Sequence, residues 1–299
     1  MSLKTKGIIA GIIAAVCYGT NPLGVLYLYQ EGLNTVSTVF YRYLTAIVML
    51  AVIMIFKGDD FKITKRELLA TSFLGVFFGL SSLMLYESFN YMDAGVASTV
   101  LFSYPVMVAV IMATFFHERI SLTTILSLAL ALGGIIMLSK GGGNSNVSMT
   151  GIILVICSSL TYAVYIVSVN RADVKMNPIK FTFFIAVFAL LMFVGYSFFG
   201  QNNSIQILTS GKSWFWAAFL GFFPTVISLI FMNISIKLVG STPAAIIGAL
   251  EPLTAVIIGC CVFSEAFSSK LFLGIVLILS SVILIAGEKK KVIGQSKCQ

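Results

Sequence analysis

The second half of this chain repeats the first. Pro105 and Glu118 recur at the same spacing as Pro252 and Glu265, inside a pattern that runs from Ala97 to Leu138 and returns from Ala244 to Ile285. Gly7-Ile8-Ile9 with Tyr18 returns as Gly151-Ile152-Ile153 with Tyr162, and Phe73-Leu74-Gly75 returns as Phe219-Leu220-Gly221. Such duplication demands a fold in which two similar units pack against each other. If each unit holds an odd number of membrane crossings, the second enters from the opposite side and the halves are inverted. Halves of that kind build one central site able to open to either face, which points to carriage of a small solute.

The sequence supplies the crossings. With 59% hydrophobic and 10% charged residues the chain cannot be a water-soluble globule. A hydrocarbon core of about 30 Å takes roughly 20 apolar residues per helix. Ten such stretches are read, at 7–29, 35–56, 68–90, 94–116, 121–139, 150–170, 179–199, 214–236, 242–263 and 269–287. They must be helical, because lipid offers no partner to backbone N–H and C=O groups. Uniform runs such as Val106 to Ala113 lack the alternation of a β-barrel. The expected fold is therefore an all-α membrane protein of ten transmembrane helices in two inverted five-helix repeats. The first repeat is placed at 1–140 and the second, with a basic tail, at 150–299. Between them lies a Gly/Asn/Ser linker at 141–149.

The net charge of +8 is distributed as a topology signal. With the N-terminus inside, the inner loops hold fifteen Lys and Arg residues and the outer loops three, Lys140, Lys212 and Lys270. That bias predicts cytoplasmic termini in a cell (inner) membrane and argues against a nucleic-acid partner. The first hydrophobic stretch is too long for a signal-peptide core and reads as the first permanent helix. The five cysteines, four of them in predicted helices, give no disulfide framework, and neither they nor the single His117 make a metal site. No cofactor is expected. Gly211-Lys212-Ser213 resembles the end of a phosphate loop, but Gln206 stands where a glycine is needed. With no hydrolase motif either, an enzyme is disfavoured.

Three charged residues fall well inside predicted helices: Arg42, Glu87 and Glu251. Each would cost roughly 2.5 to 3.5 kcal/mol facing lipid at mid-depth, so each must face protein or a cavity. For Arg42 the readings are an ion pair with an internal carboxylate, snorkelling to the surface, or two-point anchoring of an anionic group. For Glu251 they are a buried acid bonded to a carbonyl, a proton carrier, or an amine-binding group. Glu87, near the outer end of its helix, is more simply structural. Pro105 and Pro252 are expected to kink their helices, each leaving a carbonyl one turn earlier in need of a partner; Pro22 and Pro224 add further bends. Tyr18, Asn21, Tyr104, Tyr162 and Asn233 are candidates to line the cavity, or simply to pack. Glu118 and Glu265, at helix ends, are read as bonding the start of the following helix. Gly7 with Gly11, Gly75 with Gly79, and Ala129 with Gly133 are expected to form packing seams within one chain, leaving a monomer or weak homodimer.

The segments Leu101-Phe102-Ser103-Tyr104-Pro105 with Phe116-His117-Glu118, and Gly248-Ala249-Leu250-Glu251-Pro252 with Phe263-Ser264-Glu265, resemble the duplicated core of the drug/metabolite transporter superfamily, EamA type. The first copy departs by carrying Ser103-Tyr104 where the second has Leu250-Glu251, so it lacks the carboxylate. The resemblance implies an inner-membrane carrier of small metabolites, often an exporter of amino acids or related compounds. It carries over no universal coupling residue, so proton coupling would rest on Glu251 and Glu87. An uncoupled facilitator or exchanger of a sugar or vitamin, a channel, or a membrane enzyme are the alternatives.

Overall fold

A computed structural model describes residues 2–92, 94–118, 120–139, 148–172, 174, 176–198, 204–262 and 269–287. They form helices without strands: α1 (Leu3–Gly19), α2 (Asn21–Gln30), α3 (Thr35–Lys57), α4 (Lys65–Ser88), α5 (Ala94–Leu101), α6 (Tyr104–Phe116), α7 (Leu122–Ser139), α8 (Met149–Arg171), α9 (Pro178–Ser197), α10 (Gly211–Gly221), a π-helical turn (Phe222–Ile227), α11 (Ser228–Val239), α12 (Ser241–Ile247), α13 (Leu250–Val262) and α14 (Ser269–Gly287). Among the described residues, six helical stretches are long and apolar enough to cross a membrane: Leu3–Gln30, Thr35–Lys57, Lys65–Ser88, Met149–Arg171, Pro178–Ser197 and Gly211–Val239. The stretches expected at 94–116 and 242–263 are not continuous. Each is two shorter helices, α5–α6 and α12–α13. The linker at 141–147, Glu265 and the basic tail beyond 287 lie outside the described residues.

The duplication is visible in what packs on what. α1 lies on α11, and its counterpart α8 lies on α4. α3 meets α10 as α9 meets α4, and α1 meets α13 as α8 meets α6. Elements also meet their own counterparts, α3 with α9 and α7 with α14. Tyr18 stacks on Tyr162, its equivalent in the repeat, with ring centroids 6.2 Å apart and planes 10° from parallel. A two-fold relation between the halves requires such self-meeting pairs along its axis.

Small residues allow these approaches. A Cβ on Gly75 would stand 2.6 Å from Ile185 O on α9, and one on Gly7 2.7 Å from the Val239 side chain on α11. The third expected seam is shifted by one residue. Gly133 faces nothing within 4 Å, whereas Gly134 abuts Gly274 O and Ile278 on α14. Hydropathy alone cannot decide which of two adjacent glycines a helix turns toward its neighbour.

Each proline begins or interrupts a helix in a way its chemistry dictates. Pro105 sits in the first turn of α6 and Pro252 in the first turn of α13, where a missing N–H costs little. Both therefore restart a helix after a break, and neither bends a continuous one. The carbonyls one turn earlier are satisfied: Ser159 Oγ donates to Leu101 O (3.0 Å), and Glu251 N–H donates to Gly248 O (2.8 Å). Pro224 instead lies inside the π-helical turn. Its missing N–H would strand Leu220 O, and the Thr225 hydroxyl fills the gap at 2.8 Å.

At the α6 end, His117 takes the left-handed conformation (φ 51°) and Glu118 is exposed. The start of α7 is capped by Ser121, whose hydroxyl accepts from Thr124 N–H at 3.0 Å. Glu118 does not fill the capping role expected of it, because the serine stands at the N-cap position and reaches the backbone directly. On the side assigned outside, residues 204–210 are tied down on α3. Gln206 Oε1 accepts from Asn34 N–H (2.7 Å), and Gln206 N–H donates to Ser37 Oγ (2.8 Å).

Candidate functional site

A pocket opens where the α1–α2 junction and the end of α4 meet the two broken helices. Tyr18, Asn21 and Pro22 form one wall, Leu101 and Phe102 another, and Glu251 and Pro252 a third. It encloses about 360 Å³ of empty space counted out to its mouth, but its inner part is narrow. That part has room for a water molecule and not for a metabolite. In this conformation the site is closed down.

The walls come this close because two glycines permit it. Gly19, ending α1, faces α13 so tightly that a Cβ would lie 2.5 Å from Glu251 O and 2.7 Å from the Thr254 side chain. Gly248, in the break between α12 and α13, receives the Tyr104 hydroxyl. A Cβ there would stand 1.8 Å from Tyr104 Oη. The α6 tyrosine of the first half is thus seated in the helix break of the second.

Glu251 is 6% exposed, and its Oε1 has no hydrogen-bond partner among the described residues. The same is true of Asn21 Nδ2, on a side chain only 2% exposed. Polar atoms left unpaired in a buried pocket are costly, so they are expected to face water or a ligand.

Arg42 is fully buried. It neither snorkels nor forms an ion pair with a carboxylate among the described residues, so both expected structural roles are corrected. Its Nε donates to Thr225 Oγ1 (2.7 Å), Nη1 to Tyr86 Oη (2.7 Å) and Nη2 to Pro224 O (3.2 Å). Aromatic rings close around it: Tyr43, Tyr86, Tyr18 and Phe78, with centroids 5.3, 5.5, 5.6 and 6.0 Å from the guanidinium carbon. Cation–π attraction strengthens as water leaves, so four faces replace much of the lost hydration. Pro224 is part of the same arrangement: the threonine that repairs its missing hydrogen bond is the one that accepts from Arg42 Nε. Thr225→Val keeps the shape and removes that hydroxyl. It is expected to cost about 1–2 kcal/mol in thermal unfolding, with Thr225→Ser nearly neutral.

Arg42 does not line the pocket, but a hydrogen bond leads from it to the wall. Tyr86 Oη, which accepts from Arg42, donates to Asn21 Oδ1 at 2.5 Å. Of the other candidates, Tyr162 is sandwiched between Tyr18 and Tyr165 and meets Tyr104 edge-on at 4.8 Å. Asn233 accepts from Tyr165 Oη (2.7 Å) and donates to Thr182 Oγ1 (3.3 Å), a packing network behind the pocket. Glu87 is half-buried in the last turn of α4 and is not brought to Glu251. Sequence reasoning passed over Tyr86, Tyr43 and Thr225. The available signals were a tyrosine directly before an intramembrane glutamate, and a threonine directly after an intramembrane proline.

Comparison with known proteins agrees with this architecture. Residues 5–140 and 149–287 each match the EamA-like transporter family. A protein of Archaeoglobus fulgidus named an uncharacterized transporter is 28% identical over 276 residues, covering 91% of this chain and 93% of that protein. The uncharacterized transporter YetK of Bacillus subtilis is 21% identical, covering 96% and 89%. An uncharacterized transporter of Synechocystis sp. is 26% identical over 212 residues, and the match spans only 63% of its length. A solved crystal structure of a protein superimposes with a TM-score of 0.77 at 15% identity, covering 94% of this chain and 96% of that one, which shows a shared fold. The chain is a multi-pass membrane transporter and belongs to the EamA-like transporter family.

Proposed function

We propose that this protein is a secondary transporter that moves a small organic metabolite, an amino acid or related compound, outward across the cell (inner) membrane by alternating access. The pocket walled by Tyr18, Asn21 and Glu251 is the transport site, and Glu251 carries the coupling proton. The observation that carries the reading is the pair of buried polar atoms, Asn21 Nδ2 and Glu251 Oε1, unpartnered in one pocket between two broken helices. Broken helices concentrate free backbone ends and hinge points around a central site. A pocket too narrow for a metabolite belongs to a closed phase of such a cycle, with movement at the breaks after Leu101 and Ile247 widening it toward either face.

In proteoliposomes the protein is expected to give saturable flux, accelerated by unlabelled substrate on the far side. Flux that rises linearly with concentration and shows no counterflow would mean a channel. Orientation follows from the inner and outer charge counts: a reporter active only in the cytoplasm is expected to work when fused after Lys291 and to fail at Gly142, and the reverse pattern contradicts cytoplasmic termini.

A further inference from the structure

We propose that the pocket binds an anionic oxygen of its ligand through the Asn21 side-chain amide, and that Arg42 strengthens this contact through Tyr86 without touching the ligand. The inference rests on the pocket being the transport site. A guanidinium only donates, so Tyr86 Oη must accept the bond from Arg42 Nη1. The phenol has one hydrogen, and it goes to Asn21, 2.5 Å away. The atom that receives it must be the amide oxygen, which fixes the flip of the amide and leaves Nδ2 as the group turned elsewhere. Nδ2 is buried and has no partner among the described residues, on a side chain that lines the pocket. The pocket is thus presented with two N–H donors whose orientation is set by a chain of bonds that starts at Arg42.

The three hydrogen-bond partners of Arg42 are neutral, and no carboxylate pairs with it among the described residues. A buried cation without a counter-ion is costly, and its aromatic cage compensates only in part. An anion received at Asn21 would be joined to the guanidinium by three linked hydrogen bonds, each polarising the next. Glu251 stands on another wall of the same pocket. Holding the proton that the transport reading assigns to it, it is neutral and does not oppose the anion. Tyr86 is a positioning residue in this scheme, as is Arg42.

The test is thermal unfolding of the full-length protein in detergent micelles, titrated with short monocarboxylates as sodium salts and with the matching primary amines as chlorides. Carboxylates are expected to raise the unfolding temperature and the amines not to. Tyr86→Phe removes the hydroxyl that orients Asn21. Measured against its own unliganded midpoint, it is expected to bind carboxylates about tenfold more weakly. Asn21→Asp, which puts an acceptor where the amide nitrogen stood, is expected to abolish the carboxylate shift altogether. A carboxylate shift unchanged in either variant overturns the relay. A wild-type protein stabilised by amines and not by carboxylates overturns the anion assignment and makes Glu251 the receptor. Absence of any shift with both classes overturns the proposal as well, while saturable flux with counterflow would still uphold the transporter reading on its own.

Discussion

Glu251→Gln is expected to abolish accumulation of substrate driven by a pH gradient and to leave exchange of substrate for substrate largely intact. The glutamine keeps the volume of the protonated acid and can offer hydrogen bonds from the same place. It cannot release a proton, so a cycle that requires one to leave must stop. Exchange needs only that a loaded site turn back and forth. The effect is expected to be nearly complete, because no second carboxylate lines the pocket among the described residues: Glu87 stands apart in the last turn of α4. The measurement is uptake into proteoliposomes with and without an imposed pH difference, beside counterflow at equal pH. A variant that accumulates substrate at the normal rate would show that Glu251 is structural.

Gly248→Ala is expected to destabilise the protein by about 3 kcal/mol, the upper end of the usual penalty for forcing one extra carbon into a packed interior. Gly248 has ordinary right-handed dihedrals (φ −55°, ψ −15°), so the penalty is steric and not conformational. The main obstacle is one oxygen: Tyr104 Oη lies 1.8 Å from where the Cβ would be, and the backbone Ala245 O lies 2.9 Å from it. Tyr104→Phe removes the nearer oxygen. By itself it should cost no more than about 1 kcal/mol, since the hydroxyl has the Glu251 carboxyl as a polar neighbour and makes no well-formed hydrogen bond with it. The double variant should recover part of the loss, since Ala245 O at 2.9 Å and the ring carbon Cζ at 3.1 Å still crowd the new methyl. A double variant no more stable than Gly248→Ala would show that the two sites are independent and that the tyrosine is not seated in the helix break.

These two residues also show how much could be read in advance. Glu251-Pro252 stood out because a carboxylate at mid-helix is costly in a membrane and a proline breaks backbone hydrogen bonding; both facts are local. The duplication was legible for the same reason, as a pattern along the chain that the helix pairing then repeats. Gly248 was quoted for the resemblance, but its partner Tyr104 is far away in sequence and nothing local says that the two touch. Arg42 was recognised as a residue that cannot face lipid, yet its solution was unreadable. A guanidinium can be kept inside by a carboxylate or by rings and neutral oxygens, and which of these occurs depends on the faces that α1, α4 and the π-helical turn present to α3. Tyr86 illustrates the cost of weighting charge over geometry. Attention went to Glu87, one residue on, which turns 100° away around the helix from the side chain that holds the site.

The central claim is that one pocket communicates with both faces of the membrane in turn. Its most direct test is a cysteine placed at Ser98, a half-buried residue in the pocket wall, in a protein whose other cysteines have been replaced. A membrane-impermeant maleimide is applied to right-side-out and to inside-out vesicles. The account predicts modification from each face separately, without the reagent crossing the membrane, and protection on both faces by transported substrate. Modification from one face alone, however long the exposure, would contradict it.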